Sequence, residues 1–536
     1  MARIARPFVA IVMLAATVFL WMSGGCGGNK DKGTLGVDQN SADDAATLDP
    51  DANVGSSGGA SGGVGFGGSS GFQGGGDSGN APDCPAGAPL SCYVNTMCAG
   101  GAQTTLTGKV YDPAGKNPIE NVVVFIPNDP KTLPVIKSGT NTCSTCDTPV
   151  GDYATAALTD NTGTFTLKGV PTGKNLPIVI QIGKWRRLMT VASTTDCKTV
   201  TVPASGPGQL RLPKNQQEGD LPQMALLTGG LDDLGCFLTK VGLDPKEYSA
   251  PHGGGKLDVY QGLGIAGGGI FGVGAAPALS TGTAGNCTNT SCPLWSNKAS
   301  LESYDIVFLA CEGDTMDPDE NVDGGGGGYG GGSANVTKAG KQAMHDWLDE
   351  GGKVFATHFH YTWFKNGPPD FQSVATWLGS SVGSGTCTNC TIDTTLQSGK
   401  DFQAWLMSVG ALTGSGITLT GVADSVSAVN PATTSRWIYG NSGITTGAMD
   451  TKYLSFETPI GGVPIDGGEV VGKQYCGKAV FTDLHAGGAP SGNIPGKCMA
   501  ADLTAQEKAL EFLIFNLASC VSDESKPMVI PPPPPK

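Results

Sequence analysis

The chain is short of charge, of histidine and of long apolar runs. Charged residues make up 15% of its 536 positions, against roughly a quarter in ordinary soluble proteins. The net charge is −14, and no Lys/Arg run or basic patch is present. That excludes the electrostatic footprint by which proteins hold nucleic acid. Past residue 22 no stretch reaches the roughly 20 apolar residues that a spanning helix needs. The acidic stretch Asp314–Asp323 lacks EF-hand spacing and runs into poly-Gly, so it reads as a solvated loop rather than a calcium site. Thr228-Gly229-Gly230, ahead of a helical pattern, would suit an anion but is neither a complete dinucleotide fingerprint nor a P-loop.

The first 25 residues have the layout of an export signal. Arg3 and Arg6 form a positive start, and Phe8–Met22 is apolar. Ser23-Gly24-Gly25 before Cys26 resembles a bacterial lipobox, which implies lipidation at Cys26 and a membrane attachment by lipid alone. Residues 26–80 are Gly, Ser, Asn and Asp with few large apolar side chains, a composition that cannot offset chain entropy and reads as a disordered tether. A lipid, a tether and folded domains imply a cell-envelope protein at the outer membrane or surface of a Gram-negative bacterium. Residues 523–536 form a Pro-rich tail.

The chain has 16 cysteines, and Cys26 leaves an odd fifteen. In an exported protein most should pair and at least one thiol should stay free. The pairs Cys143-Ser-Thr-Cys146, Cys387-Thr-Asn-Cys390 and Cys287…Cys292 read as local staples in polar loops, in preference to zinc or thioredoxin-like sites.

Two folded modules follow a Cys-rich lead-in at 81–101. Residues 102–215 show short strands with regular turns and no helical stretch, which indicates a β-sandwich. Gly108-Lys-Val-Tyr-Asp, Gly163-Thr-Phe165-Thr-Leu167 and Val170-Pro-Thr-Gly173 resemble carboxypeptidase regulatory-like (prealbumin-like) domains, which implies a scaffold or binding role without catalytic residues. Trp185 and Arg186 are candidate contacts to a glycan or protein partner, or simply a core ring beside a solvated face.

Residues 221–522 alternate strands and helices, the mark of an α/β domain with a flavodoxin-like parallel sheet and Gly-rich insertions. Helices are expected after Thr337, over Phe371–Leu378, over Phe402–Val409 and after the capping box Thr504-Ala-Gln-Glu507. The order YDIVFLAC, GGKVFATHFH, a β-rich excursion and GKAVFTDLH resembles the trehalose-utilisation-type branch of the class I glutamine-amidotransferase-like fold. The whole layout resembles uncharacterised bacterial lipoproteins that join the two modules. Cys311 stands in Leu309-Ala310-Cys311-Glu312-Gly313, without the leading Gly of that family's nucleophile motif, which argues against amidotransfer itself.

Three strand ends carry the chemistry. In open α/β sheets ligands bind beyond the carboxyl ends of strands, and Cys311-Glu312, His358-Phe359-His360 and Asp483-Leu484-His485 all fall there. His358 and His360 on an extended strand would share a face and, with His485, offer three imidazoles to zinc. Tyr361 and Trp363 are candidates for an aromatic wall that stacks on a sugar. Cys311 is a nucleophile, an inert thiol or a disulfide partner; Glu312 and Asp483 are the acids placed to orient a histidine or move a proton. Three functions remain open: a non-catalytic envelope lipoprotein that binds a glycan or another envelope protein, a metal-assisted or cysteine-dependent hydrolase of an amide or sugar-derived substrate, and a purely structural envelope component.

Overall fold

Seven disulfides among the described residues and a series of short apolar strands shape what the chain builds. The computed structural model describes residues 71–74, 84–146, 148–263, 275–320, 335–379, 385–444, 447–464, 473–485, 492–521 and 523–533. The expected signal, lipidated Cys26 and nearly all of the tether lie outside these residues. No described helix is long and apolar enough to cross a membrane.

The first module is two facing sheets. One pairs β1 (Thr105–Tyr111) with β4 (Thr164–Lys168), β7 (Thr199–Thr201) and β8 (Leu210–Arg211). The other joins β2 (Val123–Pro127), β3 (Tyr153–Leu158), β5 (Gly173–Ile182) and β6 (Trp185–Thr194). Alternation puts Leu106, Val124, Phe165, Leu176, Ile178 and Ile180 into one apolar core.

The second module is a single mixed sheet. Its parallel part runs β10 (Leu257–Gln261), β9 (Met224–Thr228), β11 (Ile306–Leu309), β12 (Lys353–Thr357) and β17 (Gly477–Thr482). In chain order this is 2-1-3-4-5, so the strand order reverses between β9 and β11, the switch point outside whose carboxyl ends ligands bind in such sheets. An antiparallel half continues from β17 through β16 (Asp450–Thr458), β15 (Thr434–Gly440), β13 (Gly385–Ile392) and β14 (Gly416–Val422). Among the described residues the module's longer helices, of eight residues or more, are α1 (Leu234–Val241), α2 (Lys338–Asp349), α3 (Gln397–Ser408) and α4 (Ala505–Ala518). Thr337 caps α2, and both halves of the Thr504/Glu507 capping box are made.

One expected helix is absent. Phe371–Leu378 forms a single turn at Pro369–Gln372, and Ala375–Trp377 then pairs as a strand with Val426–Val429. Phe371 and Val374 are buried as the helical spacing implied, but β-branched residues and a waiting strand edge outweighed helical periodicity.

The modules share one core, with the rings of Trp185 on β6 and Phe515 on α4 6.1 Å apart. Cys387–Cys390 and Cys287–Cys292 are the local staples expected. Cys143 and Cys146 are not a staple: they bond Cys476 and Cys520, 333 and 374 residues away, and tie a sandwich loop to the second module. Sequence spacing favours a local bond only until folding brings closer partners.

Candidate functional site

Four strand ends around this switch point each contribute one group. Asp232 follows β9, Cys311 follows β11, His358 follows β12 and His485 follows β17. Cys311 Sγ lies 3.5 Å from His358 Nδ1, and the rings of His358 and His485 are 4.7 Å apart, edge to face. Donor atoms of Cys311, His358 and His485 all lie within 4.8 Å of one another, a set able to hold a metal ion.

Asp232 organises the set. Its Oδ1 accepts from His485 Nδ1 at 3.1 Å, and its Oδ2 accepts from the Cys311 backbone N–H at 2.9 Å and from the Thr357 hydroxyl. With Nδ1 carrying the proton, His485 presents Nε2 to the thiol side. Close approach is required here. A Cβ on Gly229 would sit 2.1 Å from the Cys311 carbonyl oxygen, so only glycine lets the β9 loop pass over Cys311.

The backbone at His358 explains its aim. Its φ is +36°, in the left-handed region that costs a non-glycine residue strain. The chain turns at once into a 3-10 turn, His358–Tyr361, so His358 and His360 do not alternate as on a strand.

That turn corrects the three-histidine reading. His360 points away: its Nε2 donates to Ala310 O at 3.0 Å, and its Nδ1 accepts from Trp363 Nε1 at 3.2 Å. Both ring nitrogens are spent, so His360 has no lone pair for a metal. Cys311 takes the place expected for it. His358, in contrast, has Nε2 buried without a hydrogen-bond partner.

Electrostatics differ among the three donors. Burial pushes the Cys311 thiol up, partly offset by His485. Burial, then the neighbouring imidazoles, holds His358 well below the ordinary histidine range, and burial brings His360 down to about 4. For His485 burial opposes charge, but bonding to Asp232 and Cys311 outweighs it and holds the ring well above that range.

Other expected residues lie elsewhere. Asp483 is buried and accepts from the Ser425 N–H at 2.5 Å and hydroxyl at 2.8 Å, so it braces a loop instead of moving protons; burial brings it up to about 6. Glu312 accepts from Leu263 N at 2.5 Å, its Oε2 has no partner, and burial pushes it up to about 8. Tyr361 and Trp363 are sealed in the core, with the Tyr361 hydroxyl on Glu320, so no aromatic wall faces a sugar. Trp185 and Arg186 are also buried, Arg186 pairing with Asp220 and Pro134 O, and they offer no binding surface.

In the described part of the acidic stretch, residues 314–320, the carboxylates are not simply solvated: Asp317 pairs with the buried Lys341 ammonium, and Glu320 with Lys365. The α1 N-terminus is not an open anion site, since the Asp233 side chain caps it at Cys236 N.

Cys311 is the one free cysteine among the described residues. Asp232 was missed by sequence reasoning. Its signal was a carboxylate four residues past a strand end, beside a Gly pair.

No protein-family model matches the chain, and no curated protein matches it. Among solved structures it is similar to a putative ThuA-like protein from Bacteroides uniformis, at 9% identity and a TM-score of 0.27, over 54% of this chain and 89% of that one. It is also similar to two type II cohesin–X-dockerin complexes from Acetivibrio cellulolyticus. One is a C-terminal interface mutant, at 16% identity and a TM-score of 0.13, over 20% of this chain and 56% of that one. The other is an N-terminal interface mutant, at 15% identity and a TM-score of 0.15, over 29% of this chain and 88% of that one. The chain thus spans little more than half of the first cohesin–dockerin chain. Likenesses at these scores carry no argument about chemistry.

Proposed function

We propose that this protein is a metal-assisted hydrolase of the cell envelope, with Cys311, His358 and His485 as ligands of a zinc-class ion. The observation that carries the reading is the convergence of one thiol and two imidazoles from three strand ends. The donors fit the group. Sulfur and nitrogen ligands on a tetrahedral zinc stand roughly 3.5 Å apart, and Cys311 Sγ and His358 Nδ1 are 3.5 Å apart. A mixed S/N set favours zinc over magnesium or calcium.

Such an ion, with three protein ligands, supplies a Lewis acid and an activated water at its fourth position. The chain's own residues prepare for that. Asp232 fixes the His485 tautomer through the Nδ1 proton, an arrangement that raises ligand basicity. Phe359, its ring 4.0 Å from that of His358, keeps water from that face. The substrate class is an amide or a sugar-derived compound of the envelope. The surrounding picture is a lipid-anchored protein whose carboxypeptidase regulatory-like sandwich supports a trehalose-utilisation-type, amidotransferase-like α/β region.

A second reading is a non-catalytic envelope scaffold or binding protein. The complete burial of Cys311 favours it, because a reacting centre needs access.

Metal analysis of the purified full chain tests the proposal. The expected result is one zinc per chain, lost in Cys311→Ser and His358→Ala and kept in His345→Ala. A zinc-free native protein that takes up no added zinc, or a Cys311→Ser variant that keeps its zinc, overturns it.

A further inference from the structure

The seam between the two modules buries carboxyl groups that each have one oxygen without a donor. Asp112, just past β1, accepts from Lys116 N at 2.7 Å through Oδ1, while its buried Oδ2 has no partner. Glu511, fully buried on α4, accepts from Asn117 Nδ2 at 2.7 Å through Oε2, while Oε1 has no partner. These two carboxyls, 399 residues apart in the chain, are held on the same turn, by Lys116 N and by Asn117 Nδ2; burial raises both, and Asp112 raises Glu511 further. Carboxylates are acceptors only, so two orphaned carboxyl oxygens buried at one turn favour a proton on one of them.

A third carboxyl lies in the same turn. Glu120 Oε2 is buried without a partner, and burial, then Asp401 on α3 and Asp160 between β3 and β4, pushes Glu120 up to about 8. The cations nearby are engaged elsewhere. Lys508 donates to Val409 O at 2.7 Å, and Lys116 pairs with Asp502 at the surface. Trp405 on α3 bridges the seam, its indole N–H donating to Pro118 O at 2.7 Å.

We propose that this seam is a proton-operated latch: Asp112 and Glu511 share one proton while the modules are docked, and its loss opens the joint around the 112–121 turn. The Cys143–Cys476 and Cys146–Cys520 bonds keep the modules attached while this side opens. The sign follows from the carboxyls. Docked, they hold protons that exposed carboxyls release near pH 4. Latch stability is therefore full in acid and is lost as pH rises through the raised values of Asp112 and Glu511; Glu120, raised to about 8, adds its own loss in the same direction.

The test is hydrogen–deuterium exchange of the 112–121 amides in the full chain from pH 5 to 9, corrected for intrinsic exchange, with Trp405 fluorescence in parallel. The opening equilibrium should rise by about tenfold per pH unit for each proton released. In Glu511→Gln an amide donor replaces the shared proton, and the contribution of the pair should vanish. Asp112→Asn serves the same purpose if that variant fails to fold. A seam whose opening ignores pH between 5 and 9 overturns the proposal. So does a Glu511→Gln slope equal to that of the native protein.

Discussion

His485 and Asp232 stand 253 residues apart in the chain, yet Nδ1 of one is 3.1 Å from Oδ1 of the other. The same carboxylate also holds the Cys311 backbone N–H and the Thr357 hydroxyl. It therefore joins the ends of β9, β11, β12 and the turn after β17 at a single point.

Asp232→Asn keeps the shape and removes the charge. Zinc affinity should fall 10–100-fold, the usual cost of losing a carboxylate behind a ligating histidine. Competition with a chromophoric chelator measures this, and an unchanged far-UV spectrum separates it from unfolding. Unaltered affinity would place Asp232 outside the site's chemistry.

Lys341 and Asp317 form a pair whose side chains are 2% and 0% exposed. Lys341→Met leaves a buried carboxylate without its cation and should cost about 3–5 kcal/mol. Adding Asp317→Asn should recover much of that loss. Urea unfolding of the single and double variants reads both, and additive losses would contradict the pairing.

His345 on α2 contacts Asp370 at 2.9 Å and Asp346 at 3.1 Å. Burial disfavours its charge, but Asp370 and then Asp346 outweigh that and raise it above the ordinary value. A raised histidine stabilises fully below its unfolded pKa of 6.5 and less as pH climbs through the folded value. His345→Gln should therefore lower Tm more at pH 5.5 than at pH 8.5. Equal losses at both would show that the contact is not ionic.

Much of the frame was legible because it is local. Apolar runs such as Lys353–Thr357, the Thr337 cap and the Thr504/Glu507 box each encode their structure within a few residues. The Phe371–Leu378 stretch misled because burial at helical spacing is also met by one turn followed by a strand. His360 misled for a related reason. The H-x-H rule assumes extended backbone, and the left-handed φ at His358 breaks it.

By itself the sequence determined most of the strands around the site and that their ends carry a thiol and imidazoles. Those properties follow from side-chain period and composition, which need no partner. Only the tertiary structure decided that Cys311 replaces His360 beside His358 and His485, that Asp232 orients them, and that Cys143 and Cys146 reach to Cys476 and Cys520. Such contacts span tens to hundreds of residues. They are selected by strand order and by the need to satisfy every buried donor and acceptor, and neither is written in any single window of the chain.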